Sequence, residues 1–364
     1  MNKLDHTTIR YFDMFAGIGG FRAGLDRAGG YECIGHSEID KYANAAYRRL
    51  HQPKESEVFY HDATKINTET LPEFDLLTAG FPCQSFSNAG KRKGFDDPRG
   101  NLFYEITRVA ETRQPKYLLL ENVPGILSHN KGRTFATMLD ELCRLRYSLE
   151  WQIINSSVFV PQSRRRVYII GYLNPRCAGQ ILPYRITNTK APVQSIGGKA
   201  GLHFIDLNHN PKITNTARCL TARYNRGIGN RKGESSGVLH IREATKRGYK
   251  EAYPGDFVDL NFANNNTRRG RVGRGIAHTL DTFNKQGVVA EDGRIRRLTP
   301  RECFRLQGFT DGQIDRLLDG SSDTQAYKQA GNAVTVNVVH HLALRLKKAH
   351  EAAVVATGAI LEAA

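Results

Sequence analysis

Residues 11–21 have the sequence YFDMFAGIGGF, in which an apolar run leads into a cluster of glycines. The run Tyr11–Phe15 predicts a buried strand, and the amphipathic stretch Phe21–Ala28 predicts a helix. Glycines between a strand and a helix let the backbone approach a ligand closely, with the helix N–H groups facing it. The stretch is therefore typical of the nucleotide-binding corner of an α/β fold. It departs from the dinucleotide fingerprint, because the third glycine of GxGxxG would fall at Arg22.

The same texture continues to residue 172, with short apolar runs alternating with amphipathic stretches. Further strands are predicted at Glu32–Ser37, Phe74–Ala79, Tyr117–Leu120 and Val167–Tyr172, and helices at Tyr42–Leu50, Leu102–Thr112 and Thr134–Leu145. Strands that alternate with helices form a mostly parallel sheet covered on both faces. We therefore predict a Rossmann-like α/β domain. Helical texture returns at Pro300–Leu306 and again from Ala333 onward.

Positive charge is concentrated in the middle of the chain. The 364 residues include 52 Lys and Arg against 36 Asp and Glu, a net charge of +16. Residues 173–294 hold +11 of this excess, whereas residues 1–172 hold +3 and residues 295–364 hold +2. The middle segment is also rich in Gly, Asn, Thr and Arg, which predicts a smaller, loop-rich or short-stranded second domain. The charge favours a polyanionic partner, although a basic protein that binds none would show the same total.

Hydropathy and cysteine spacing disfavour several classes of protein. The mean hydropathy is −0.47, and no run approaches the roughly 18 apolar residues of a membrane span. The segment Met1–Arg10 is polar and lacks an apolar signal core, so secretion is not expected. Six scattered cysteines without a CxxC pair argue against a zinc knuckle or a disulfide scaffold and favour a reducing compartment. We therefore expect a cytoplasmic protein without a membrane partner.

Two carboxylates follow predicted strands in register with the glycine loop. Glu38 ends the second strand about twenty residues after the loop, where a carboxylate can hold two ribose hydroxyls. Asp62 follows a further strand that is expected between the second strand and Phe74–Ala79, and it could accept a hydrogen bond from an adenine amino group. This set fits an adenosine-bearing ligand without a pyrophosphate, of which S-adenosylmethionine is the commonest. The alternative is a tight turn with two surface acids.

One of the six cysteines is distinguished by its surroundings. Cys83 lies just past a predicted strand end, in the sequence GFPCQSFS of residues 80–87, where parallel sheets bind ligands. Pro82 stiffens the backbone, and the basic residues 91–93 could favour a thiolate. The stretch Ser87–Gly100 has turn and charge residues without periodicity and resembles a lid over a site.

Charged residues also border the last two predicted strands of this half. Glu121 follows directly after a buried apolar run, which makes it a candidate proton donor, with a capping or salt-bridging role as the alternative. Arg164 and Arg166 would share one face of a strand, and Arg165 would take the other. Such arginines suit hydrogen-bond donation to an oxygen or a phosphate, with a solvated basic turn as the alternative.

Six segments occur in one order along the chain and together resemble the motifs of DNA (cytosine-5)-methyltransferases. They are Phe15–Phe21, Gly80–Ser87, Glu121–Val123, Gln162 with Arg164 and Arg166, Leu298–Glu302 and Gln329–Val334. The resemblance covers most of residues 10–172 and 295–340, and residues 173–294 lie where that family keeps its target-recognition region. It implies a Rossmann-like methyltransferase domain of residues 1–185 plus 326–364, a target-recognition domain of 186–300 and a hinge or return segment of 301–325.

The resemblance also implies roles for the matching residues. Cys83 would attack C6 of cytosine, and Glu121 would hold N3 and the amino edge. Arg166 would contact O2, with Arg164 nearby. The cofactor S-adenosyl-L-methionine, which leaves as S-adenosyl-L-homocysteine, would be bound by Phe15, Gly17, Ile18, Gly19, Glu38, Ile39, Asp62, Ala63, Pro82, Leu102, Asn332 and Val334. No metal is implied. Ile39 replaces an aromatic residue that many members have, and Ala89 replaces a serine of some members.

Double-stranded DNA is the partner that the resemblance implies. Loop arginines can read guanine, although phosphate contact or plain solvation is the commoner role of a single arginine. The predicted DNA-binding residues are Ser85, Ser87, Arg99, Arg223, Arg226, Arg231, Arg268, Arg269 and Arg271. A monomer associated with the nucleoid is expected, and a cognate restriction endonuclease is a further candidate partner.

Two alternatives stay open on the sequence. The same chemistry could act on tRNA, although the long basic segment favours duplex DNA. The chain could also be a non-catalytic DNA-binding module on the same fold, against which the presence of Cys83, Glu121 and Arg166 counts. The sequence does not distinguish a restriction–modification role from a phage-borne or regulatory one.

Overall fold

The fold is built on a seven-stranded sheet. The computed structural model describes residues 8–81, 102–173, 179–183, 204–206, 212–214, 236–237, 239–261, 269–283, 285–290 and 294–362. The sheet contains β1 (Ile9–Met14), β2 (Tyr31–Ser37), β3 (Val58–Tyr60), β4 (Leu76–Gly80), β5 (Tyr117–Asn122), β6 (Ser148–Asn155) and β7 (Arg165–Tyr172). Its order is β3-β2-β1-β4-β5-β7-β6, in which β1 to β5 pair in parallel and β7 is antiparallel to both neighbours. The predicted α/β fold with a mostly parallel sheet is confirmed.

Helices connect and cover the strands. In the described residues they are α1 (Gly20–Ala28), α2 (Lys41–His51), α3 (Leu102–Arg113), α4 (Arg133–Arg144), α5 (Pro300–Leu306), α6 (Asp311–Leu318), α7 (Asp323–Asn332) and α8 (Val336–Glu362). The ends of α1 to α4 lie within one residue of the predicted ends, and α5 has the predicted bounds. Among the described residues, no helix has the length and apolar character that a membrane crossing requires.

The sequence prediction omits α6 and α7, which lie in the segment expected to be a hinge and just after it. Both helices carry an N-terminal cap that the sequence displays. Thr310 and Gln313 form a reciprocal capping box at α6, and the Ser322 hydroxyl accepts the Gln325 N–H at α7. The caps were the available signal.

The prediction also omits β6, the strand at one end of the sheet. Its sequence SLEWQIIN is mostly half-buried, and Ile154 is its single fully buried residue. An edge strand with one neighbour needs no continuous apolar run, so it does not produce the signal that identified the central strands. All eight of its residues pair with β7.

Short antiparallel strands make up the described part of the basic middle segment. They are β8 (Phe204–Asp206), β9 (Lys212–Thr214), β10 (Ser236–Gly237), β11 (Leu239–Arg242), β12 (Tyr249–Ala252), β13 (Phe257–Asp259), β14 (Val272–Gly273) and β15 (Gln286–Val289), and β16 (Ile295–Arg297) follows just beyond the segment. They form small sheets of order β10-β8-β9, β11-β12 and β14-β13-β15-β16. The described part therefore has the short strands that its composition predicts.

Apolar side chains pack on both faces of the large sheet. One buried cluster joins the strands to α3 and α4, for example through Val109. A second joins the opposite face to α1 and α8, for example through Leu342. A third cluster packs α2 and the end of the glycine loop against Ala277 of the middle segment and against residues of α5 to α7, including Phe304. Both parts are thereby held at the edge of the sheet where the glycine loop lies.

Candidate active site at the carboxyl edge of the sheet

The parallel strands end at one edge of the sheet, and β7 begins there. Because β7 runs antiparallel to β5, its first residues lie beside the last residues of β5, with Val167 opposite Asn122. A cavity of about 370 Å³ opens at this edge. Residues that follow β1, β2 and β4 and residues at the start of β7 therefore face one space, as the rule for parallel sheets predicts.

Most of the predicted cofactor residues line this cavity. They are Phe15, Gly17, Ile18, Glu38, Ile39, Asp62, Ala63, Leu102, Asn332 and Val334. Gly19 is not part of the lining, and its carbonyl lies 3.1 Å from His51 Nε2. Pro82 lies outside the described residues. The predicted catalytic residues Glu121, Arg164 and Arg166 line the same cavity.

The glycine loop between β1 and α1 has a constrained backbone. Gly17 and Gly19 have φ of 57° and 81°, and even Phe15 lies in the left-handed region at 56°. Such a φ is uncommon for a bulky residue and is found where the surrounding structure imposes it. A Cβ on Gly20 would come within 2.7 Å of a Val334 methyl group. The glycines thus let the start of α1 approach the loop that follows α7.

Glu38 joins the glycine loop to the start of α2. Its Oε2 accepts the Gly17 N–H at 2.7 Å, and its Oε1 accepts the Asp40 N–H at 2.8 Å. Burial raises the pKa of the Glu38 carboxyl, while the two backbone N–H groups oppose that rise. Each oxygen still has room for a second donor. The carboxylate is therefore held in one orientation beside the cavity.

Asp62 and Ile39 complete the same end of the cavity. Asp62 Oδ1 accepts both the N–H and the hydroxyl of Thr64 at 2.9 Å, and these hydrogen bonds lower the pKa of the Asp62 carboxyl. Ile39 is 66% exposed, which is high for an aliphatic side chain beside a cavity. The cavity mouth thus combines an ionised acid with exposed apolar surface. In the described ranges, no three His, Cys, Asp or Glu side chains are grouped so that they could hold a metal ion.

Glu121 and Arg166 form an ion pair across two neighbouring strands. Arg166 Nε lies 3.0 Å from Glu121 Oε1, and both side chains are largely buried. Glu121 is the fifth residue of β5 rather than a residue beyond it, and it sits opposite Tyr168 of β7. The geometry of the pair is not that of a hydrogen bond, and Oε1 accepts none from the described residues. The carboxylate is therefore oriented by a cation and still able to accept from a ligand.

Arg164 differs from Arg166 although both line the cavity. As predicted, the two face one side while Arg165 is exposed on the other. Arg164 is only 3% exposed, and its guanidinium donates to the Leu280 carbonyl at 3.3 Å and to the Ala333 carbonyl at 3.0 Å. Arg164 therefore bridges two segments beside the cavity, and its place near the base stays a prediction.

Two residues of α7 at the cavity were missed by the sequence prediction. Lys328 Nζ lies 2.6 Å from Asp40 Oδ2, and Gln329 Nε2 donates to the Tyr42 carbonyl at 3.1 Å. Both side chains line the cavity. They tie α7 to the start of α2 across the cavity mouth. The signal available was their position at the start of the Gln329–Val334 segment.

Many predicted residues lie outside the described ranges. They are Pro82, Cys83, Ser85, Ser87, Arg99, Arg223, Arg226, Arg231 and Arg268. Of the predicted DNA-binding arginines that are described, Arg269 is exposed. Arg271 is 4% exposed, and it donates to the carbonyls of Asp259 and Arg242. This burial argues against a DNA contact by Arg271, because its donors already serve the chain's own backbone.

The chain is similar to known proteins over most of its length. The family model described as C-5 cytosine-specific DNA methylase matches residues 9–348. The chain is 31% identical to the orphan methyltransferase M.SPRI of Bacillus phage SPR, over 92% of this chain and 96% of that protein. It is 36% identical to the Type II methyltransferase M.HpaII of Haemophilus parainfluenzae, over 90% and 86% respectively. A solved structure of a Spodoptera frugiperda DNMT2 variant shares the fold with a TM-score of 0.57 at 17% identity, covering 93% of this chain and 99% of that one. The chain therefore belongs to the C-5 cytosine-specific DNA methylase family, whose members are DNA (cytosine-5)-methyltransferases.

Proposed function

We propose that this enzyme transfers a methyl group from S-adenosylmethionine to C5 of a cytosine flipped out of a specific duplex DNA sequence, through a covalent bond between Cys83 and C6. One observation carries the proposal. Most of the predicted cofactor residues and the Glu121–Arg166 ion pair line a single cavity. A methyl donor and a base that occupied the two ends of this cavity would meet within it.

The cavity suits an adenosine-bearing sulfonium in size and chemistry. Its volume of about 370 Å³ falls in the range of small-molecule sites. Glu38 would accept hydrogen bonds from the ribose hydroxyls with the lone pairs that the backbone leaves available. Asp62 would accept from the adenine amino group, and Phe15 and Ile39 would contact the apolar faces of the ligand. When bound, S-adenosylmethionine supplies an electrophilic methyl group and leaves as S-adenosylhomocysteine.

Cys83 would act as the nucleophile that makes C5 reactive. Cytosine C5 alone is a weak nucleophile, but a thiolate that adds to C6 turns C5 into the nucleophilic carbon of an enamine. Phe81 and Leu102, which border the segment containing Cys83, both line the cavity. Once C5 carries the methyl group, loss of the C5 proton and elimination of the Cys83 thiolate restore the aromatic ring and the free enzyme.

Glu121 and Arg166 would hold the base while Cys83 adds. The Glu121 carboxyl would bind the N3 and amino edge, and a proton on N3 would offset the negative charge that develops in the ring. Arg166 would contact O2 and keep Glu121 oriented from 3.0 Å away. Both groups sit on strands of the rigid sheet, which suits a site that requires fixed geometry.

The basic middle segment would bind the duplex. It holds +11 of the net charge, and exposed arginines such as Arg269 would contact phosphates. These contacts would offset the few kcal/mol that extruding a base requires. We propose the division already inferred, with residues 186–300 recognising the target and residues 1–185 plus 326–364 performing the chemistry. A monomer that acts at the nucleoid is part of the same proposal.

Two biological settings fit the relatives. M.SPRI is named an orphan phage methyltransferase, and M.HpaII is named a Type II methyltransferase. We propose a restriction–modification role with a cognate endonuclease, and a phage-borne orphan role is the alternative. An endonuclease gene beside the native gene, whose product cuts the unmethylated target sequence, would favour the restriction–modification role. A native locus without such a gene would favour the orphan role.

Methylome sequencing tests the chemistry and finds the target sequence together. The chain would be expressed in a host without cytosine methylation, beside the variants Cys83→Ser and Cys143→Ser. Cys143 lies exposed on α4 and serves as the matched control. We expect 5-methylcytosine in one sequence context with the parent and Cys143→Ser, and none with Cys83→Ser. Equal methylation by Cys83→Ser would exclude the nucleophile assignment. Methyl incorporation into tRNA alone would exclude duplex DNA as the substrate.

A further inference from the structure

Arg164 bridges two loops that are far apart in the chain. Its Nη1 donates to the Leu280 carbonyl and its Nη2 to the Ala333 carbonyl, across 116 and 169 residues of sequence. Ala333 lies between Asn332 and Val334, which line the cofactor end of the cavity. Leu280 lies in the segment 277–283, which belongs to the middle, basic part of the chain. The Arg164 side chain thus contacts both the loop at Ala333, called the cofactor loop below, and the segment 277–283.

The backbone around Arg164 strengthens this junction. Residues 161–163 run parallel to 277–279, with the Ala277 N–H bonded to the Pro161 carbonyl and the Ser163 N–H bonded to the Ala277 carbonyl. The Thr279 hydroxyl donates to the Ser163 carbonyl at 2.9 Å. A Cβ on Gly331 would come within 2.4 Å of the Asp281 carbonyl oxygen. The cofactor loop and segment 277–283 are therefore also in direct contact.

The chemistry of a buried guanidinium makes the bridge sensitive to either loop. Burial and the nearby Arg166 lower the pKa of Arg164 to about 9, so the group remains cationic at neutral pH. Arg164 Nε has no hydrogen-bond partner among the described residues, so this buried cation depends on the two hydrogen bonds from Nη1 and Nη2. If one loop moved alone, it would leave an N–H of this cation without its carbonyl. A planar fork can hold two carbonyls at fixed separation, whereas a lysine ammonium is a point charge on a flexible stem.

We propose that Arg164 is a positioning residue that couples cofactor binding to DNA binding, by holding the loop at Ala333 and the segment 277–283 in one arrangement. The inference rests on the function proposed above and specifies how its two substrates communicate. Each ligand that orders its own loop would order the other loop through Arg164. The coupling is therefore reciprocal, as linkage requires.

The test measures how much duplex DNA increases the affinity of the enzyme for S-adenosylhomocysteine. Its Kd would be measured by calorimetry with and without a duplex oligonucleotide that carries the sequence found by methylome sequencing. For the parent we expect a tightening in the usual range of roughly 5–150-fold. Arg164→Lys should reduce that factor by half or more. Arg165→Lys changes the exposed neighbour on β7 and should leave the factor unchanged.

The possible results distinguish a failure of the proposed coupling from a failure of the proposed function. A factor in Arg164→Lys equal to that of the parent overturns the coupling, and so does a parent factor of one. A parent that methylates no duplex DNA overturns the proposed function itself. By linkage, S-adenosylhomocysteine must increase the affinity for DNA by the same factor, so the reverse titration checks the measured coupling. A purely structural role of Arg164 would weaken binding of S-adenosylhomocysteine with and without DNA and leave the ratio of the two Kd values unchanged.

Hydrogen exchange on the unmodified protein decides the matter if Arg164→Lys folds poorly. S-adenosylhomocysteine alone should slow amide exchange in residues 330–336, which flank the cavity, and also in segment 277–283. Protection of both segments supports the bridge. Protection confined to residues 330–336 overturns it.

Discussion

The sheet half and the basic middle segment of this enzyme are built in opposite ways. The described residues between 8 and 172 form a sheet of seven strands that packs against helices on both faces. Residues 1–172 carry a net charge of only +3. The described part of residues 173–294 contains strands of two to four residues, and one small cluster around Val258 lies wholly among them. This segment carries +11. The regular sheet suits a site that requires fixed geometry, and the charged, short-stranded part suits a long, variable polyanion.

Buried arginines show that charge alone does not separate the two regions. Arg164 in the sheet half and Arg271 in the middle segment are both nearly inaccessible, and each donates to two backbone carbonyls. Arg164 joins two loops, whereas Arg271 joins the ends of β11 and β13. The number of arginines in a segment therefore overstates the number available for DNA, and the accessible ones such as Arg269 must be separated from the buried ones by structure.

The largest expected effect is at the sheet edge, where Glu121→Gln should lower kcat by roughly 10²–10⁴-fold. The amide keeps the shape of the side chain but cannot support a proton on the base or pair with Arg166. Single-turnover methylation of duplex DNA would measure the change. Glu141→Gln, on the exposed side of α4, is the control and should retain activity. A Glu121→Gln enzyme within a few-fold of the parent would remove this residue from the proposed mechanism.

The second effect concerns Asp13, which is buried in β1 just before the glycine loop. The Thr78 hydroxyl donates to its Oδ1 at 2.7 Å, and burial raises the pKa of the carboxyl to about 7. The folded state then binds a proton that the unfolded state releases near pH 4, so this group lowers stability as pH rises from about 4 to 7. Asp13→Asn does not titrate. Its unfolding free energy relative to the parent should rise by about 3 kcal/mol between pH 5 and pH 8.

Urea unfolding at the two pH values measures this difference. The difference between the variant and the parent is needed, because burial lowers the pKa of His36 to about 4 and gives a stability term of opposite sign. Because His36 binds a proton more readily in the unfolded chain, it lowers the stability of the protein as pH falls from about 6.5 to 4. This contribution is the same in the parent and the variant, so it cancels in the difference. A difference that does not change with pH would show that Asp13 is ionised in the folded protein at pH 5.

The smallest effects compare two neighbouring arginines of the middle segment. Arg271→Ala should lower the free energy of unfolding by about 2 kcal/mol, because two partly buried carbonyls lose their donors. Arg269→Ala should change stability by less than about 0.5 kcal/mol and reduce the slope of log K against log salt for DNA by about 1. Thermal unfolding and salt-dependent DNA binding measure the two effects. A change of salt slope in folded Arg271→Ala would contradict the structural role assigned to Arg271.

The local patterns predicted the sheet and much of the site. Apolar runs such as Tyr117–Leu120 and the glycines of residues 17–20 act over a few residues, so a strand or a turn can be recognised without its partners. The rule that ligands bind at the carboxyl ends of parallel strands then placed Glu38 and Glu121 at one edge. β6 was missed because an edge strand lacks a continuous apolar run.

The sequence did not predict which partners the charged side chains contact. Arg164 and Arg166 look equivalent along the chain, yet one holds Ala333 and Leu280 while the other pairs with Glu121. The ion pair between Lys328 and Asp40 spans 288 residues. No local pattern specifies such partners, because they depend on which segments the folded chain brings together.

The sequence by itself determined the family, the mostly parallel sheet and the identity of the candidate nucleophile, acid and cofactor carboxylate, since each depends on residue type and short-range order. Tertiary structure decided that the cofactor residues and the Glu121–Arg166 pair face one cavity. It also decided which arginines are buried between loops and which remain exposed. The physical reason is that burial and pairing are properties of the packed chain, in which a guanidinium must find its carbonyls wherever the fold has placed them.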